Sequence, residues 1–259
     1  MADLDSIADS LLAAYAADRP TLAPVTSTYD GLTVDEAYAI QQTQIRRRVA
    51  AGAAIVGYKV GLTSTAMQQQ MGVYEPDFGH LLADMVLAAD APIVTSRFRQ
   101  PRAEPEIALV LGRDLPGPGL SVADVMTATS YVLPAIEIID SRISDWKIGL
   151  IDTIADNASS GALVLGQTPV STAGRDLSLA GCVLRRNGRI VATGAGAAVL
   201  GSPWHAATWL ANTLTARGAD LTAGKIILTG SIMAAVPVTA GDAVTASIDG
   251  LGSVTAVFD

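Results

Sequence analysis

From residue 53 onward the chain breaks into short β-rich runs: AIVGYKVGL, EIALVLG, SYVLPAIEII, GALVLG, GCVLRR, RIVATG, KIILTGS, DAVTASI and SVTAVF. Gly, Pro, Asn and Asp punctuate them, and Asn187-Gly188 between two runs is a strong hairpin signal. One clear helix interrupts the series. Ser202 can cap it, Pro203 can open it, Ala207, Leu210, Ala211 and Leu214 share one face, and Gly218 ends it. Strands that do not alternate regularly with helices disfavour a doubly wound parallel sheet. Upstream the texture is helical. Residues 3–17 place Leu4, Ile7, Ala8, Leu11, Leu12 and Tyr15 on one face, and Pro20 and Pro24 close that unit. Thr33 and Glu36 form a capping-box pattern, followed by Val34, Ala37, Tyr38, Gln41 and Ile45 on an inward face and a stop near Gly52. Arg46, Arg47 and Arg48 lie near that C-terminus, where cations suit the helix dipole, and read as a solvated face. The expectation is an α+β chain: a helical N-terminal cap over residues 1–52 on a mixed, β-rich body over residues 53–259, together one structural unit.

Half of the 259 residues are apolar, enough for a substantial core, yet only 5% are aromatic, so small side chains must fill it. No apolar run reaches 18 residues. The richest region, residues 194–211, is cut by Gly201, Ser202, Pro203 and His205, which argues against a membrane span. The N-terminal MADLDSIADS is acidic where a secretory signal would be basic, and the single Cys182 excludes an internal disulfide framework and a cysteine metal cluster. A reducing cytoplasm is the expected compartment. A net charge of −8 without a basic block argues against nucleic-acid and anionic-membrane partners. It also means that an anionic substrate needs a local positive feature.

The stretch PRAEPEIALVLG, residues 101–112, puts Glu104 and Glu106 two apart at the head of an apolar run. Alternation along a strand points both to one side, where like charges repel. A third acid, Glu137, lies between Ile136 and Ile138. A glutamate is seldom buried without a partner. A hard divalent cation, Mg²⁺ or Mn²⁺, satisfies all three and leaves positions for water and substrate. Spacing alone also allows Glu104 and Glu106 to face solvent on an edge strand, and Glu137 to pair with Arg142 or Arg102.

GYKVGLTS, residues 57–64, sets Lys59 inside a strand-like run. A half-buried lysine can act as a base or, still charged, hold an enolate; a lysine snorkelling to the surface is the plainer alternative. In EPDFGHLL, Asp77 follows Pro76 and could form a turn, and His80 reads as a structural histidine. There is no H-E-x-x-H or G-x-S-x-G pattern, and GAGAAVLG lacks the setting of a dinucleotide fingerprint.

GYKVGLTS, EPDFGHLLADM, EPEIALVLGRDL, PAIEIIDSR, DTIADNASS, GAGAAVLG, WLANTL, ILTGS and DGLGSV, in this order from about residue 30 to the C-terminus, together resemble the 2-keto-4-pentenoate hydratase and 4-oxalocrotonate decarboxylase branch of the fumarylacetoacetate hydrolase superfamily. The resemblance implies a β-roll or barrel-like body with a divalent ion, Mg²⁺ or Mn²⁺, held by Glu104, Glu106 and Glu137. It places the active-site lysine on Lys59 and the aspartate on Asp77, with Ser159, Ser160 and Ser231 at pocket positions. It implies a homo-oligomer acting on a small 2-oxo or enol acid, able to associate with a neighbouring pathway enzyme. DSRISDWKIGLIDTIADNASS looks more like the hydratases, chiefly through Trp146 and Lys147, and no insertion follows DSR as in hydratases of longer dicarboxylic substrates. The implied activity is hydration of 2-hydroxypenta-2,4-dienoate to 4-hydroxy-2-oxopentanoate in aromatic or steroid ring catabolism. Decarboxylation of 4-oxalocrotonate is the alternative, and a catalytically silent partner subunit ranks lower. His80 does not match the His–Glu dyad of a carbon–carbon hydrolase.

Overall fold

A computed structural model describes residues 3–16, 20–64, 68–69, 73, 75–89 and 91–259. Its centre is a mixed eight-stranded sheet. β1 (Ile55–Gly61), β2 (Asp77–Leu82), β3 (Val86–Leu87), β4 (Arg102–Leu111), β5 (Thr129–Ile139), β6 (Ser160–Leu165) and β9 (Ile226–Leu228) follow the order β2-β1-β9-β4-β5-β6-β3, and β10 (Val236–Pro237) adds to β4. The pairs β1–β9 and β3–β6 are parallel and the rest antiparallel. A second, four-stranded antiparallel sheet runs β12-β11-β7-β8, from β7 (Gly181–Arg186), β8 (Arg189–Ala195), β11 (Ala243–Ile248) and β12 (Gly252–Val257). The expected Asn187-Gly188 hairpin joins β7 to β8, with both residues at positive φ as a type I′ turn requires.

Alternation gives the large sheet two faces, and the burial pattern separates them. Tyr58, Val60, Phe78, Ile107, Leu109 and Ile227 point outward into a core shared with helices. These helices include α1 (Leu4–Ala13), α2 (Val25–Thr28), α3 (Val34–Ala50), α4 (Val122–Ala128), α5 (Leu150–Ala155) and α6 (Pro203–Ala216). Further along, Ile136, Ile138, Ala162 and Val164 on the same face pack against Leu184, Val244, Ala246 and Val254 of the small sheet. The opposite face is concave. It carries a separate apolar cluster that includes Leu81, Ala108, Leu133, Ala135, Leu163 and Leu228. The sheet curls far enough for Gly79 of β2, at one edge, to lie against the segment leading into β6, near the other.

Two prolines sit inside these strands, Pro105 in β4 and Pro134 in β5, where a missing N–H would normally break the ladder. Pro105 is tolerated because its carbonyl side faces the point where β9 has already left the sheet. There its oxygen accepts from Ile232 N at 3.1 Å, and β9 pairs only with residues 108–110. That divergence creates the loop over residues 229–232 beside Glu106.

Helix α3 folds as the sequence indicates in its cap and its end. The Thr33–Glu36 capping box forms, and Gly52 follows at φ 102°. Val34 is the exception on the inward face, being exposed. Arg47 pairs with Asp5 and Asp9 and Arg48 with Asp84, mostly at the surface. The helix over residues 3–17 closes at Ala13, and residue 17 lies outside the described residues. Buried amides from α3 reach both β2 and α5. Gln41 Nε2 donates to the carbonyls of Ile154 and Phe78, and Gln44 Nε2 to that of Ala155. Asp152 accepts from Thr26 N and Oγ1, tying α2 to α5. The helical segment thus sets the position of α5 and of the turn after it. Among the described residues no helix is long and apolar enough to cross a membrane.

Gly79 is where curl and turn meet. A methyl there would stand 2.5 Å from Asn157 O and 2.7 Å from Ser160 Oγ, with no flexible side chain to yield to it at the carbonyl. Gly79→Ala is expected to destabilise the fold by about 1–3 kcal/mol in urea unfolding. Gly181→Ala, where nothing lies within 4 Å, serves as the control and is expected to be near neutral.

Candidate active site

The concave face ends in charge. Glu104 and Glu106 lie on it by alternation, and Glu104 is in direct register with Glu137 of β5, so all three carboxyls share one side. Lys59 joins them: it is in register with Leu228, which is in register with Ala108, two residues beyond Glu106 on the same face. One candidate ligand oxygen from each of Glu104, Glu106 and Glu137 lies within 4.8 Å of the others. Glu106 and Glu137 are fully buried and Glu104 is half-buried. Glu137 therefore does not pair with Arg142 or Arg102. Its ion-pair partner is Lys59, at 3.5 Å. Arg142 is buried against Asp156 instead, in contact through Nε and through its backbone N–H. The edge-strand alternative for Glu104 and Glu106 also fails, since β4 is flanked by β5 and by β9 and β10.

Electrostatics follow from this crowding. Burial raises the pKa of Glu104, Glu106 and Glu137 above the ordinary carboxylate range. The charge of Glu137 adds to the rise at Glu104 and Glu106. Burial works to lower Lys59, but the fields of Glu137, Asp77, Glu104 and Glu106 outweigh it, and its pKa is raised. Lys59 is not a snorkelling surface residue; it is only 4% exposed.

Asp77 opens β2 rather than forming a turn, and pairs in register with Gly61. Gly61 leaves room for this side chain: a Cβ there would fall 2.1 Å from Asp77 Oδ1 and 3.5 Å from Lys59 Nζ. Asp77 is therefore folded over β1 towards the lysine. Thr153 Oγ1 of α5 donates to Asp77 Oδ2 at 3.3 Å. Burial raises the Asp77 pKa, against the lowering influence of Lys59.

The turn between α5 and β6 is strained. Asn157, Ala158 and Ser159 have φ of 51°, 51° and 54°, left-handed values that cost non-glycine residues about 1–2 kcal/mol each. Asn157 holds the turn by bracketing His80: its Oδ1 accepts from His80 N and its Nδ2 donates to His80 O. Ser160 Oγ donates to Asn157 O at 2.8 Å. The buried Ser159 hydroxyl makes no hydrogen bond among the described residues. Ser231 follows Gly230, whose N–H donates to Glu106 Oε2 at 2.7 Å, and its own hydroxyl donates to Met233 O.

The donor set fits a hard divalent ion. Glu106 Oε1 and Glu137 Oε2 are buried and accept no hydrogen bond among the described residues, and Glu137 Oε1 faces the Lys59 ammonium at 3.5 Å without a hydrogen bond. Such acceptors are costly unless an electropositive partner faces them. All-oxygen carboxylate ligation with one half-exposed member matches Mg²⁺ or Mn²⁺, which keep positions for water or substrate. Sequence reasoning missed Thr153, Gly61 and the Gly230 N–H. Neither a threonine in a short helix nor a backbone donor carries a signal in one sequence, and Gly61 stands out there only as a neighbour of the strand that holds Lys59.

Comparison with known proteins bears on this site. A family profile described as fumarylacetoacetate (FAA) hydrolase C-terminal matches residues 54–258. The chain is 48% identical over 255 residues to 2-keto-4-pentenoate hydratase of Paraburkholderia xenovorans (strain LB400), covering 98% of this chain and 94% of that protein. It is 43% identical to 2-hydroxyhexa-2,4-dienoate hydratase of Comamonas testosteroni, covering 92% and 91%. Its structure is similar to that of 4-oxalocrotonate decarboxylase from Pseudomonas putida G7 complexed with magnesium and adipate, with TM-score 0.95, 40% identity and coverage of 99% and 97%.

His80 stands on the outward face, Nδ1 3.0 Å from Gln41 Oε1, and burial lowers its pKa to about 4. A lowered histidine pKa means that the unfolded chain binds more protons between about pH 4 and 6.5, so this group's contribution to stability is lost as pH falls across that window. In NMR titration the His80 ring is expected to stay neutral to about pH 4, with His205→Asn giving the assignment between the two histidines. A midpoint near 6.5 would contradict the buried structural role.

Proposed function

Because the chain belongs to the fumarylacetoacetate hydrolase family, we propose that it is a metal-dependent hydro-lyase that adds water to 2-hydroxypenta-2,4-dienoate to give 4-hydroxy-2-oxopentanoate. The single observation that carries this reading is the clustering of three carboxylates, two of them fully buried, around one buried lysine on one sheet face. Similarity to curated hydratases over nearly the whole chain supports it.

Glu104, Glu106 and Glu137 would hold a Mg²⁺ or Mn²⁺ ion. When bound, that ion supplies Lewis-acid polarisation and a positive seat for a 2-oxo acid in a protein of net charge −8. Gly230 N–H fixes the Glu106 carboxylate, leaving its other oxygen free to point into the site. Hydration requires the 2-hydroxyl proton to leave and C5 to gain one, giving the conjugated 2-oxo-3-enoate. Water then adds at C4 and C3 takes a proton. Lys59, buried beside Glu137, is suited to hold the negative oxygen at C2 as the enolate forms and to exchange a proton there. Asp77, aimed towards Lys59 and anchored by Thr153, is suited to orient the ammonium or to take a proton from the attacking water. Ser159, whose buried hydroxyl has no partner among the described residues, and Ser231, beside Gly230, are assigned to the substrate pocket with Ser160 of the same turn. The subunit is read as part of a cytoplasmic homo-oligomer that can associate with a neighbouring enzyme of ring catabolism.

Decarboxylation of 4-oxalocrotonate is the second reading, favoured by the similarity to the solved decarboxylase. Loss of dienoate absorbance and release of CO₂ from 4-oxalocrotonate, followed separately, distinguish the two: the first is expected to dominate, and CO₂ release without dienoate hydration would reverse the assignment. Chelation is expected to abolish turnover and Mg²⁺ or Mn²⁺ to restore it, whereas full activity in a metal-free preparation would contradict the ligand assignment. Lys59→Ala is expected to keep the fold and metal binding while lowering kcat about 10²–10⁴-fold.

A further inference from the structure

Arg102 lies two residues before Glu104 in β4, so strand alternation puts it on the concave face, one row nearer the rim than the acids. Ala103 between them points the other way, into the core against the small sheet. The Arg102 guanidinium is stacked on Trp146, with Cζ 4.5 Å from the ring centroid. Trp146 is itself fixed, donating through Nε1 to Gln100 O at 3.1 Å. Among the described residues Arg102 has neither a hydrogen bond nor an ion pair from its side chain, although its charge acts on Glu104. Among the described residues the other cation acting on these acids, Lys59, is engaged with Glu137. Arg102 is therefore a held, half-buried guanidinium whose N–H fork is uncommitted at the rim of the acid cluster.

The setting gives that fork a purpose. Glu104, Glu106 and Glu137 gather on one face with Lys59 as their ion-pair partner. A further cation at the rim favours the approach of a carboxylate to a site lined by acids. Stacking on an aromatic ring holds the guanidinium plane while leaving its edge open for two parallel N–H···O bonds.

We propose that Arg102, oriented by Trp146, is the substrate-carboxylate receptor of this site and binds the C1 carboxylate of the 2-oxo acid. The inference rests on the assignment of the site to 2-oxo acids. It extends that assignment by naming the group that admits the anion, and it makes recognition independent of any second carboxylate at the distal end.

The test uses the Mg²⁺-loaded full-length protein, with 2-oxopentanoate and 2-oxohexanedioate as unreactive binding probes in calorimetry and the dienoate in turnover. Arg102→Gln is expected to weaken both probes to a similar degree, about 10–100-fold, the range for hydrogen bonds to a charged group. It is expected to raise KM for the dienoate with little change in kcat and to flatten the dependence of kcat/KM on salt. Arg102→Lys is expected to recover part of the loss, and Trp146→Leu to give an intermediate one. Mg²⁺ titration without organic ligand is expected to match the wild type within a few-fold. Unchanged probe binding and KM in Arg102→Gln would overturn the proposal, as would a loss confined to the dicarboxylate. Wild-type protein that binds 2-oxopentanoate yet fails to hydrate the dienoate would reject the hydratase reading alone, and Arg102 would still be judged by the binding arm.

Discussion

Repulsion among buried carboxylates is the constraint around which this molecule is arranged. Three glutamates face one another across two adjacent strands, and two of them have no access to solvent. One ammonium, 3.5 Å from Glu137, cannot neutralise three negative charges. Without a further cation the group relieves itself by retaining protons, which is the meaning of raised carboxyl pKa values in a buried cluster. A divalent ion removes the need for those protons, so ion binding and proton release are linked here.

The fold serves this arrangement by separating its two faces. The outer face of the large sheet carries the apolar burial that stabilises the chain, shared between helices and the small sheet. The inner face is thereby free to devote one end to charge, backed by a compact cluster of Leu, Ala and Val. Three local irregularities lie beside the site. Pro105 coincides with the departure of β9, Gly61 makes room for Asp77, and the left-handed turn at residues 157–159 is held by Asn157 on the backbone of β2. Strain of this kind persists where surrounding contacts over-determine the conformation. The network from α3 and α2 through α5 supplies those contacts, and so carries the N-terminal helices into the geometry of Asp77.

Much of this was legible in the sequence, for physical reasons that differ by element. The strands with clean β-rich runs and the helix between Ser202 and Gly218 were evident because propensity, capping and turn chemistry agreed. β2 was not, because DFGHLL is short, contains glycine and follows a proline, so its β character comes from pairing with β1 rather than from composition. The acid cluster was visible as a conflict between charge and an apolar setting. Its relation to Lys59 was not, since β1 and β4 are linked only through β9, far away in the chain. Arg102 illustrates the same limit. The sequence allowed it an ion pair with Glu137, whereas Glu137 pairs with Lys59 and Arg102 stands over Trp146.

The most direct measurement is a crystal structure of the Mn²⁺-soaked protein with anomalous scattering to locate the metal. The expected result is one manganese peak coordinated by an oxygen from each of Glu104, Glu106 and Glu137, at about 2.2 Å as for small hard cations. Carboxylates that remain turned towards Lys59 and water, with manganese absent or bound elsewhere, would contradict the central claim.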